Sequence, residues 1–113
     1  MALFIVVTWD VNPLHTDEIY AAQTPLGRRI IPGLLTASLL THMGGLWAFL
    51  AQSFHLEFLV PVYVGDTLTA EAQVAVIEAR GRLRLDCRIS NQDGVEVLRG
   101  EIWGYPGLFE RRE

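Results

Sequence analysis

The chain has 113 residues, half of them hydrophobic and 19% charged, with a net charge of −4. That length suits one domain around one core, the apolar content excludes a disordered chain, and an acidic chain with no basic block is not a nucleic-acid binder. All nine basic residues are arginine, which removes Schiff-base lysines and a Walker A lysine, and Cys87 stands alone, so no intrachain disulfide can form.

From the N-terminus, residues 2–9 are β-branched and aromatic, and propensity alone makes them extended. They carry no basic n-region or small-residue cleavage site, so they do not read as a secretory signal. Asn12-Pro13 marks a turn. Thr16 can cap a short helix from Asp17 to about Gln23, with Asp17 and Glu18 in its first turn, and Thr24-Pro25-Leu26-Gly27 stops it.

Pro32 suits the first turn of a second helix. Beyond it apolar residues fall on almost every side: Leu34, Leu35, Leu39, Leu40, Met43, Leu46, Trp47, Phe49 and Leu50. Such a helix is buried nearly all round and is central to the fold. The stretch from Gly33 to Gln52 approaches the length of a bilayer span. Thr36, Ser38, Thr41, His42 and the Gly44-Gly45 pair interrupt it, and no membrane partner is expected.

Strands follow. Residues 54–60 alternate partly before Pro61. Residues 66–78 put Leu68, Ala70, Ala72, Val74 and Val76 on one face, and residues 82–90 place Leu83, Leu85, Cys87 and Ile89 inward. Asn91 to Gly94 is a hairpin turn, residues 95–103 return, and Gly100 suggests a bulge. One buried helix followed by half-apolar antiparallel strands gives an α+β domain over residues 1–113, a curved sheet wrapped around the helix. Open sheet edges point to a homodimer or a hetero-oligomer.

Three places can carry chemistry. Asp10 and His15 flank Asn12-Pro13. They either trim a turn or hold one water between a carboxylate and an imidazole, one taking a proton as the other gives one. Gly33 either simply opens a helix or offers an unhindered amide to a developing oxyanion. Thr41, eight residues on, returns to roughly the same helix side. His42 is expected in a pocket or the core, His55 on one side of a strand, and Cys87 as a small core residue. The scattered histidines and lone cysteine match no zinc spacing.

Taken in order, "DVNPLH" (10–15), "TPLGRRIIPGLLTASLL" (24–40), "FLVPVYVGDTL" (58–68) and "NQDG" (91–94) resemble the MaoC-like family, which includes the (R)-specific enoyl-CoA hydratases. The resemblance implies a hot-dog fold, usually dimeric, and reversible hydration of a trans-2-enoyl thioester to the (R)-3-hydroxyacyl thioester. The substrate would be carried on CoA or an acyl-carrier protein, without metal or redox cofactor; the lone cysteine separately makes a reducing, cytoplasmic setting the default. It implies that Asp10 and His15 hold the water, that the Gly33 amide is the oxyanion donor, and that Asn12 and Thr41 support the substrate. It favours a helix for the first residues, against propensity. Trp9 stands where the family has a small residue and is expected to narrow the acyl pocket. Other readings on the same fold are a carrier-protein dehydratase, a thioesterase, or a non-catalytic partner of a heteromeric hydratase. Many thioesterases of this fold use a carboxylate on the central helix, and no Asp or Glu occurs from Gly33 to Gln52.

Overall fold

Alternating sequence becomes one antiparallel sheet. Strands β1 (Leu50–Phe58), β2 (Thr69–Ile77), β3 (Leu83–Ser90) and β4 (Glu96–Tyr105) lie in the order β1-β4-β3-β2. This computed structural model describes residues 1–107, without the side chains of residues 43, 44, 46 and 47. Along β3 the expected alternation is observed: Leu85, Cys87 and Ile89 are buried, while Asp86 and Arg88 are exposed. Together with Val97, Leu98 and Ile102 of β4 they form the core, onto which Leu40 and Val62 pack. The opposite face carries cross-strand ion pairs such as Arg88 with Glu71 at 2.8 Å. In the β3–β4 turn the Asn91 side chain accepts from the backbone N–H groups of Asp93 and Val95, and Gly94 takes the left-handed conformation at φ 75°.

The central helix differs from expectation. Two helices form, α4 (Gly33–Ala37) and α5 (Leu39–Trp47), separated at Ser38. Hydroxyls cause the interruption. Ser38 Oγ donates to the Leu35 carbonyl at 2.5 Å, and the Thr41 N–H and hydroxyl both donate to the Ser38 carbonyl, at 3.0 and 2.6 Å. These i→i+3 bonds tighten the turn locally. The chain then leaves the helix through Ala48 at φ 50°, a left-handed stop, so Leu50 opens β1 instead of extending the helix. Burial is one-sided rather than all round: Leu40 is buried, whereas Leu34 is 67% exposed and His42 is exposed. Met43, Leu46 and Trp47, expected on the buried stripe, lie outside the described side chains.

Other boundaries also shift. Residues Ala2–Thr8 form helix α1 despite their β propensity. The Trp9 N–H bonds back to the Ile5 carbonyl at 2.8 Å, and the Thr8 hydroxyl donates to the Phe4 carbonyl at 2.7 Å. Helices α2 (Pro13–Thr16) and α3 (Glu18–Ala22) follow. Asp17, not Thr16, caps α3, its carboxylate accepting from Ile19 and Tyr20 N–H, while the Thr16 hydroxyl bonds back to the Val11 and Asn12 carbonyls. Gly100 marks no bulge. The register slips lie between Ala51 and Ser53, Val74 and Val76, and Ile89 and Ser90. The second slip sets Val76 opposite Arg84 and Ile77 opposite Leu83, so Val76 leaves the inward face on which Val74 still pairs with Leu85. Gly100 is needed for another reason: a Cβ there would collide with the His55 carbonyl and Leu56 of the neighbouring strand.

Two short connections carry the helices to the sheet. The Ile30 N–H donates to the Leu14 carbonyl at 3.0 Å, and the Ile31 N–H donates to the Val62 carbonyl at 2.7 Å. Residues 14, 30, 31 and 62 are thereby laced together just before α4 begins. Among the described residues no helix is long and apolar enough to cross a membrane.

Candidate active site

The loop at residues 10–16 is built by its own side chains. Asn12 Oδ1 accepts from the Leu14 N–H at 2.9 Å and caps α2, while Pro13 occupies the first helical position. The resulting turn swings His15 inward, and the residue is only 8% exposed. Its Nδ1 lies 2.8 Å from the Ile30 carbonyl oxygen. A carbonyl can only accept, so Nδ1 carries the proton and donates. In the neutral ring Nε2 therefore presents its lone pair. Asp10 Oδ2 stands 3.6 Å from that Nε2 and is more open to solvent. The gap is too long for a direct hydrogen bond, and a water set to one side of it reaches both groups.

His15 lines a cavity of about 320 Å³ whose other walls include Gly33, Thr36, Phe58, Val60 and Val62. Gly33 opens α4, so its amide has no partner one turn back in the helix. The Phe58 ring packs over this position: a Cβ on Gly33 would lie 2.9 Å from the ring. Only glycine lets ring and helix start approach this closely. His15 and Gly33 thus share one cavity, and Asp10 stands beside His15 without itself lining that cavity.

The remaining expected residues are placed differently. Asn12 spends its side-chain oxygen on the α2 cap and acts as a builder of the loop. Thr41 is exposed and does not line the His15 cavity. It lines a second cavity of about 690 Å³, mostly apolar, with Leu34, Ala37, Leu40, Phe49 and Leu56. The broken helix accounts for this, because the tightened turn at Ser38 defeats an eight-residue spacing counted on a continuous helix. Trp9 is 84% exposed at φ 59° and narrows neither cavity. His55 is exposed, with Nε2 3.7 Å from Glu57. Cys87 is buried, and its thiol is pushed up to about 11, mainly by desolvation and secondarily by the Asp86 charge. It is a core thiol, not a nucleophile.

Thr36 escaped the sequence reading. It is 4% exposed, lines the His15 cavity, and its hydroxyl finds no hydrogen-bond partner among the described residues. Its spacing, three residues after Gly33, puts it on the same helix side, but nothing in the sequence sets it apart from a threonine bonded back to its own helix.

Residues 1–88 match a family model described as MaoC like domain. The (R)-specific enoyl-CoA hydratase of Aeromonas caviae is 38% identical over 108 residues, covering 89% of this chain and 79% of that protein. The 3-hydroxybutyryl-CoA dehydratase of Methylorubrum extorquens is 42% identical over 105 residues, covering 87% of this chain and 65% of that protein. Among solved structures, the (R)-hydratase from A. caviae involved in PHA biosynthesis is similar with a TM-score of 0.86 at 34% identity, covering 92% of this chain and 83% of that one.

Proposed function

Because the chain belongs to the MaoC-like dehydratase family and has its hot-dog fold, we propose that it reversibly adds water to a trans-2-enoyl thioester, giving the (R)-3-hydroxyacyl thioester, with CoA as the carrier. The observation that carries this reading is the tethered His15, which lies with Nε2 3.6 Å from Asp10 and lines the cavity that Gly33 also lines.

In the hydration direction the water lies between Asp10 and His15. Its oxygen bonds to C3 as the C2–C3 double bond shifts electrons onto the thioester oxygen. The Gly33 N–H stabilises the enolate oxygen so formed. The proton released by the water passes to the His15–Asp10 pair, which returns one proton to C2, so the pair ends as it began. Dehydration is the same path reversed. Asn12 serves by fixing the turn.

Hydration of crotonyl-CoA, followed by loss of its conjugated absorbance, tests the assignment. Asp10→Asn and His15→Ala are each expected to lower kcat/KM by about a thousandfold, with the circular dichroism spectrum unchanged. Full activity in either variant would overturn it. Release of free thiol from the same substrate would instead identify a thioesterase.

A further inference from the structure

Granting the hydration reading on which it rests, we propose that the Thr36 hydroxyl holds the oxygen that adds to C3, water in one direction and the product hydroxyl in the other. A threonine inside a helix ordinarily bonds back to a carbonyl of the preceding turn. Its neighbours behave this way: Ser38 bonds to Leu35, and Thr41 bonds to Ser38. Thr36, the most buried of the three, does not. Leaving a buried hydroxyl unpaired is costly, and such groups in folded proteins call for a specific reason.

The surroundings narrow that reason. Apart from His15, the side chains around Thr36 in this cavity are Ile30, Ile31, Phe58, Leu59, Val60 and their aliphatic neighbours. None can pair with a hydroxyl, and neither can an alkyl chain. The thioester oxygen is supplied by the Gly33 amide. The atom left without a full set of partners is the reacting oxygen, which both donates and accepts, as a hydroxyl does. Gly33 and Thr36 lie one turn apart, a rise of roughly 4.5 Å along the helix. That is of the same order as the distance from a thioester oxygen to an oxygen at C3 of the same acyl group.

Thr36→Val keeps the shape and removes the hydroxyl, and Thr36→Ser keeps the hydroxyl. With crotonyl-CoA as substrate and saturated butyryl-CoA as competitive inhibitor, Thr36→Val is expected to lower kcat about tenfold, one ordinary hydrogen bond in the transition state. KM and the butyryl-CoA inhibition constant should stay within about twofold, because butyryl-CoA has no oxygen at C3. Thr36→Ser is expected to recover kcat to within about threefold of wild type. The assignment is overturned if Thr36→Val keeps wild-type kcat. It is also overturned if butyryl-CoA binds more weakly, which places the hydroxyl on the thioester oxygen, or more tightly, which turns it toward the alkyl chain. A lowered melting temperature with no rescue by serine would make Thr36 a packing residue and sink it as well. A wild-type protein that binds butyryl-CoA but hydrates no enoyl thioester sinks the hydration reading itself, a result separable from every variant effect.

Discussion

At the scale of single residues, one backbone carbonyl decides the chemistry available to His15. The Ile30 carbonyl accepts a hydrogen bond from Nδ1–H and so leaves the Nε2 lone pair toward Asp10. The pattern Asp-x-Asn-Pro-x-His put both side chains on one local turn, and only the family resemblance favoured a water between them over a trimmed turn. Thr36 was not legible, since a hydroxyl in an apolar run reveals its lack of a partner only once its neighbours are placed. Cys87 offers a test at the same scale. Its thiol titrates near 9.0 when unperturbed and about 11 in the fold. Between those values the unfolded chain has released the proton and the folded chain keeps it. Stability contributed by the neutral thiol is therefore present below about pH 9 and is lost as pH rises through the window. The urea midpoint of the wild type is expected to fall more between pH 8 and pH 10.5 than that of Cys87→Ala, and an equal fall would refute the assignment.

At the scale of elements, the strands were read more faithfully than the helices. Alternation in β3 depends on nearest neighbours and survives folding unchanged. The central helix was misread because its hydrophobicity says nothing about where Ser38 and Thr41 donate their hydroxyls, or that Ala48 adopts a left-handed stop. Gly100 shows a signal noticed but misassigned: it marks close backbone approach between β4 and β1, not a bulge. Gly100→Ala must push these two strands apart. It is expected to cost on the order of 3 kcal/mol, measured as a lower urea midpoint with the slope preserved. A loss under 0.5 kcal/mol would show that the strands yield freely.

At the scale of the whole molecule, the chain measures 56 × 30 × 20 Å with a radius of gyration of 16.6 Å, against roughly 13 Å for a compact chain of this length. Strands β1 and β2 are both edges, and their outer backbone groups have no neighbouring strand among the described residues. Such a surface calls for a second copy. Sedimentation velocity is expected to give a dimer rather than the 12.7 kDa monomer; a wild type that stays monomeric would refute this. The single turn of α4 divides the interior, with Gly33 and Thr36 on the wall of one cavity and Leu34 and Ala37 on the wall of the other. A partition so thin, jointed at Ser38, lets the two chambers diverge independently. A change of side-chain size at Phe49 or Ala51 reshapes the larger chamber and leaves the walls around His15 and Thr36 as they are.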